Sequence, residues 1–144
     1  MNNLISILVV SHGDLANSLI HTAEMIAGKQ EQVQTVTLAA NDGVDSLSAK
    51  VDAAMAKLPA DQLTLIFADL WGGSPFNAAA QIVGKDPTHT ALIAGVNLPI
   101  LLEAYMARNS TLTELVNKIT EISTDSIRQF TMPTQDDDLG DDLL

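Results

Sequence analysis

Residues 2–15, NNLISILVVSHGDL, read as a buried strand that runs straight into a polar turn and then into a helix. The apolar run covers residues 4–10, interrupted only by Ser6, and such a stretch of Ile, Leu and Val suits a strand of a parallel sheet, where both faces are covered and no alternation is needed. Such a strand ends at the carboxyl edge of its sheet, where ligands and chemistry collect in open α/β folds. The turn is Ser11-His12-Gly13-Asp14, so His12 stands where an imidazole is useful.

Beyond this turn, residues 15–27 place Leu15, Leu19, Ala23 and Ile26 on one helical face, and Gly28 stops that helix as a C-terminal cap. Residues 32–38 give a second strand. Asn41-Asp42-Gly43 then turns the chain, and Val44, Leu47, Val51, Ala54, Met55 and Leu58 recur at helical spacing until Pro59. A third strand over residues 62–69 ends in Asp69, followed by Leu70-Trp71-Gly72-Gly73-Ser74-Pro75-Phe76-Asn77. Here Ser74 is read as the N-cap and Pro75 as the first residue of a helix through residue 83. A fourth strand, residues 90–94, leads past Asn97 into a helix over 100–108. A last helix over 111–125 turns Leu112, Leu115, Val116, Ile119 and Ile122 inward. Residues 127–132 are expected to add a short strand. Four alternations of strand and helix define a doubly wound α/β fold, a mostly parallel four-stranded sheet with helices on both faces.

Length and composition narrow the function. At 144 residues the chain makes one domain, placed at residues 1–133, and residues 134–144 read as an acidic, disordered tail. With no Cys there is no disulfide, thiolate nucleophile or Cys-rich metal site. Met1-Asn2-Asn3 lacks the basic start of a signal peptide, and the apolar run after it is too short to span a bilayer, so a cytoplasmic location is expected. The formal net charge is −11, from 18 acidic and 7 basic residues, which argues against nucleic acid as a partner. Five acids fall in the last nine residues, and the −6 left on the body still steers a basic protein toward it. No metal cluster and no phosphate-loop lysine is evident, so no metal and no cofactor are expected and nucleotide hydrolysis fits poorly.

Three strand ends carry polar residues to one edge: His12, Asp69 and Asn97. If the first and third strands are neighbours, with the second on the far side of the first as right-handed crossovers allow, His12 can meet Asp69. A carboxylate accepting from one ring N–H fixes the tautomer and leaves the lone pair on the other nitrogen free as nucleophile or base. Gly72 and Gly73 let the backbone before the next helix approach a ligand closely, and that helix start aims unsatisfied N–H groups outward as an anion site. Neither motif holds Lys or Arg, so the Ser11 and Ser74 hydroxyls and the N–H dipoles would hold the anion. A transient phosphoryl group on His12 suits this, since a carrier must also give its phosphate up.

The segments VVSHGDLA, FADLWGGSPFNAA and IAGVNLPILLE, in that order, resemble the IIA proteins of the mannose family of the bacterial phosphoenolpyruvate:sugar phosphotransferase system. The match runs from the first strand to the fourth helix. The resemblance implies a cytoplasmic phosphotransferase that takes a phosphoryl group from phospho-HPr onto Nε2 of His12 and passes it to a histidine of a IIB protein. Uptake is then coupled through the membrane components IIC and IID. It implies that Asp69 orients the His12 ring, that Gly73 and Ser74 contact the phosphoryl group and that Trp71 lies on the rim beside the site. With the anion site above, Gly72 and Ser11 are expected to join the phosphoryl contacts, and Phe76 and Asn97 the partner surface. It also implies a homodimer in which residues 127–132 of each subunit lie antiparallel on the sheet of the other.

Other readings remain at this stage. The phosphoryl-donor subunit of the phosphoenolpyruvate-dependent dihydroxyacetone kinase shares the fold and a strand-end histidine, although residues 71–77 resemble the sugar-transport branch better. A hydrolase triad of His12, Asp69 and Ser74 lacks the G-x-S-x-G elbow. A non-catalytic anion-binding module would use the same helix start without a covalent histidine. His21 and His89 read as solvated or structural, and Leu102, Tyr105 and Met106 as core or subunit interface.

Overall fold

The computed structural model describes residues 3–134. Its single sheet holds β1 (Ser6–His12), β2 (Val33–Leu38), β3 (Thr64–Ala68) and β4 (Thr90–Ala94), all parallel, in the order β2-β1-β3-β4. The doubly wound arrangement expected from the alternation is therefore present. β1 is one of the two interior strands, with β3, and is buried from residue 6 to residue 11.

Alternate residues of β1 feed two separate cores. Ile7 and Val9, with Leu65 and Phe67, pack under α1 (Leu15–Ala27), α4 (Leu98–Met106) and α5 (Leu112–Ile122). Leu8 and Val10, with Ile66, pack under α2 (Val44–Ala56) and α3 (Gly73–Lys85). Burial on both faces is why β1 reads as an unbroken apolar run.

Several local expectations are corrected. The first strand continues two residues past the apolar run, with Ser11 opposite Thr37 and His12 opposite Leu38, because the backbone ladder with β2 carries on. His12 is thus the last strand residue. On α1 the packed stripe is Ala16, Leu19, Ile20 and Ala23, while Leu15 and Ile26 are 46% and 63% exposed. Small Ala side chains bring the helix close to the sheet, and one residue is a 100° step around it, so a one-residue change of stripe exposes the ends. Helix α3 opens at Gly73, with Gly72 rather than Ser74 at the N-cap. Pro75 fits inside the first turn, where N–H groups lack intrahelical acceptors anyway. Helix α4 opens at Leu98, capped by Asn97, whose Oδ1 accepts from Ile100 N–H at 3.0 Å. Helix α5 ends at Ile122 and a short helical turn, Ser123–Ser126, completes the stretch expected to be one helix. No strand forms over residues 127–132 within the single chain, where Ile127, Phe130 and Met132 are exposed. The acidic segment lies, but for Thr134, outside the described residues.

At the amino edge of the sheet Arg108 is 1% exposed. Its Nε donates to Ile5 O at 2.8 Å, and Nη2 donates to Glu31 O at 2.6 Å and Gln32 O at 3.2 Å. Burial pulls its pKa down from the ordinary arginine value, against the opposing influence of Tyr105 and Glu31. The guanidinium thus fastens the end of α4 to the start of β1 and to the turn before β2.

Asp42, just before α2, accepts from Lys50 Nζ, Ala39 N–H and Ser46 Oγ. The Lys50 hydrogen bond first, then the Ala39 N–H, lower its pKa from 3.8. A folded pKa below the unfolded one gives stability that is present above the unfolded value and lost as pH falls through the folded one. Asp42→Asn is therefore expected to flatten the acid limb of an unfolding titration below pH 3.8, with Lys50→Ala doing the same. Unchanged acid limbs in both variants would contradict this.

Candidate functional site

The pairing of Val10 with Ala68 sets the next residues of both strands side by side, and Asp69 N–H donates to Val10 O at 3.2 Å. His12 and Asp69 come together there. Asp69 Oδ2 accepts from the His12 backbone N–H at 2.9 Å and meets His12 Nδ1 at 2.8 Å, while Oδ1 accepts from Leu70 N–H at 3.1 Å. The Asp69 side chain is 7% exposed and the His12 side chain 47%. A carboxylate acceptor puts the ring proton on Nδ1 and leaves the Nε2 lone pair unprotonated, on the more open side chain of the pair.

Gly73 flanks the other edge of the ring. A Cβ built there would lie 3.5 Å from His12 Cε1 and 3.9 Å from Nε2, and its φ of +83° disfavours any side chain. The backbone opening α3 therefore runs beside Nε2. The Gly72 N-cap offers no side-chain acceptor, so the first N–H groups of α3 keep their capacity for an anion. The start of α1 differs: Ser11, fully buried, accepts from Ala16 N–H at 2.8 Å. Ser11 thus lies beneath the turn, and Ser74 occupies the first turn of α3, half-buried.

Trp71 is 81% exposed and its ring sits 4.6 Å from that of Phe76, tilted by 46°. Leu70 is 48% exposed beside it, and its side chain reaches the Cα side of Gly73. Asn97 is half-buried with both ends of its amide committed, Oδ1 to Ile100 and Nδ2 to Ser126 Oγ at 3.1 Å. His21 is exposed on α1, and His89 Nδ1 meets Asp86 Oδ1 at 2.9 Å before β4 begins, at the opposite edge. Tyr105 is buried, Leu102 packs against the core and Met106 is exposed. Sequence reasoning missed the Leu70 N–H on Asp69 and the closeness of Gly73 to the ring. Only the paired glycines signalled the latter.

A doubly wound α/β domain whose central strand ends in an aspartate-bound, half-exposed histidine, beside an uncapped helix start, has the parts of a histidine nucleophile working on an anion. Comparison with known proteins makes the class definite. Residues 6–120 match the EIIA-man family model, described as PTS system fructose IIA component. Over 126 residues, 86% of its length, the chain is 40% identical to the PTS system mannose-specific EIIAB component of Escherichia coli strain K12, and it spans 39% of that relative. It is 32% identical to the PTS system fructose-specific EIIA component of Bacillus subtilis strain 168, over 87% of this chain and 86% of the relative. The solved mannose/sorbose specific IIA subunit of the phosphotransferase system from Enterococcus faecalis superposes with a TM-score of 0.81 at 28% identity, covering 91% of this chain and 98% of that one. The chain belongs to the EIIA-man family, the mannose-family IIA components of the sugar phosphotransferase system. No helix among the described residues is long and apolar enough to cross a membrane.

Proposed function

We propose that this protein is a phosphoryl carrier that works in the cytoplasm between HPr and a IIB protein. The Nε2 lone pair of His12 attacks the phosphorus of phospho-HPr, the new N–P bond forms as the N–P bond to the donor histidine breaks, and the donor imidazole leaves with that electron pair. The same exchange then runs from His12 to a histidine of IIB, and IIC and IID couple it to sugar uptake. The observation that carries this reading is the Asp69 carboxylate on His12 Nδ1, because it selects the nucleophilic tautomer at Nε2. Developing charge on the ring is offset by Asp69, and the phosphoryl oxygens accept from the N–H groups of Gly72, Gly73 and Ser74 and from the Ser74 hydroxyl. Ser11, whose fully buried hydroxyl accepts from Ala16 N–H, enters as a brace for the turn. Trp71 and Phe76 supply the apolar rim for the partner, and Asn97 shapes the neighbouring helix start.

The test is phosphotransfer from phosphoenolpyruvate through Enzyme I and HPr. The unaltered protein is expected to take up label that survives base and is lost in acid, and His12→Ala to take up none. An unaltered protein that stays unlabelled by competent phospho-HPr would overturn the carrier reading.

The homodimer belongs to the same proposal. Ile127, Phe130 and Met132 are exposed, and β4 is an edge strand, so residues 127–132 of one copy can extend the sheet of another. Light scattering at micromolar concentration is expected to give twice the chain mass. A monomer there would remove the swap.

A further inference from the structure

Residues 70–73 are tied at both ends to one imidazole. At one end a single carboxylate joins three groups: Asp69 Oδ2 takes His12 N–H and Nδ1, and Oδ1 takes Leu70 N–H. At the other, the Cβ position of Gly73 faces the ring, 3.5 Å from His12 Cε1 and 3.9 Å from Nε2. Between these ties the backbone is pliant, since Gly72 and Gly73 both adopt positive φ, +79° and +83°. Trp71, in the middle, is 81% exposed and rests on Phe76.

Resting on the carrier reading above, we propose that the 70–73 segment shifts with the phosphoryl load of His12, so that loaded and empty carriers show a partner different Trp71 surfaces. Two forces act in concert. A phosphoryl group on Nε2 enters beside the Gly73 backbone, whose Cβ position is 3.9 Å from Nε2, and its oxygens draw on the N–H groups of that segment. A loaded ring also draws positive charge onto Nδ1–H, and a charge-assisted hydrogen bond is shorter and about twice as strong as a neutral one. That pull on Oδ2 is felt at Oδ1, hence at Leu70 N–H and the adjoining Trp71. The donor therefore faces one rim before transfer and another after it. Coupling of this kind is expected to change donor affinity by about fivefold or more between the two states.

Trp71 is the only tryptophan in the chain, so its indole N–H gives one resonance. The experiment follows that resonance and the amides of residues 11–14 and 70–73 in the 15N-labelled protein, loaded by phosphoenolpyruvate with catalytic Enzyme I and HPr, with intact mass reporting the load. Expected are a displaced indole signal and altered quenching of Trp71 by acrylamide in the loaded protein, both absent in His12→Ala. Weaker displacement per loaded molecule in Asp69→Asn would support the carboxylate route. A loaded protein with unchanged indole signal and quenching would overturn the inference while leaving the carrier intact. No mass gain would overturn the carrier itself, and this inference with it.

Discussion

Asp69→Asn is expected to slow phosphoryl uptake at His12 by about 100- to 10,000-fold, the range seen when a positioned catalytic histidine loses its proper tautomer or acid-base partner. Three N–H groups converge on the carboxylate, two on Oδ2 and one on Oδ1. A carboxylate accepts on both oxygens, whereas an amide accepts on one and donates from the other. With the amide nitrogen at the Oδ1 place, it opposes Leu70 N–H. With the nitrogen at the Oδ2 place, it opposes the His12 backbone and drives the ring proton from Nδ1 to Nε2, capping the nucleophile. Rapid-quench labelling at fixed phospho-HPr measures the effect, with circular dichroism to show that the fold persists. A folded Asp69→Asn within about threefold of the unaltered rate would remove Asp69 from the positioning role.

The second large effect is on stability. Arg108→Ala takes the donors from three backbone carbonyls, those of Ile5, Glu31 and Gln32, at a place that is 1% exposed. Hydrogen bonds to a charged group contribute about 1.5–3 kcal/mol each, but the acceptors regain some water after truncation, so a loss of about 3–4 kcal/mol is expected. For a domain of this size that lowers the melting midpoint by roughly 10 °C. Arg108→Lys is expected to recover less than half of it, because an ammonium point charge cannot match the planar fork of donors. Thermal unfolding followed at 222 nm reads both, and an Arg108→Ala midpoint within about 2 °C of the parent would show that the clasp adds little.

Much of the architecture was open to reading because it depends on patterns that sequence expresses directly. The unbroken apolar run around Val9 demands burial on both faces, and in a doubly wound order with β1 and β3 as neighbours the ends of the two strands set His12 beside Asp69. The errors came where one residue type serves two ends. Ser74 has the chemistry of an N-cap, yet Gly72, with φ of +79°, takes that place because its backbone alone can turn so sharply into α3. Ser11 looked like an anion ligand, and its burial under the turn depends on the closeness of α1, which composition does not encode. Arg108 follows an apolar helix as many exposed C-terminal arginines do, and no acidic partner in the sequence marks it as buried, since its acceptors are three backbone carbonyls and the Gln30 amide oxygen. Residues 127–132 alternate weakly, and in the single chain they pair with neither edge of the sheet.

The central place of β1 also bears on how the molecule is made. Its first edge closes with residues 33–38, its second only with residues 64–68, and the guanidinium that secures Ile5 arrives 103 residues later in the chain. During synthesis β1 is the first strand to emerge, yet its second edge is unpaired until residue 68 has been made and one of its faces is uncovered until α4 and α5 follow, so the apolar stretch around Val9 waits for partners far along the chain. The histidine it carries is oriented only once β3 has docked. On the proposed carrier reading, competence to take up a phosphoryl group would therefore be a stricter sign of folding than helix content, and a nascent chain would stay chemically silent until β3 has docked.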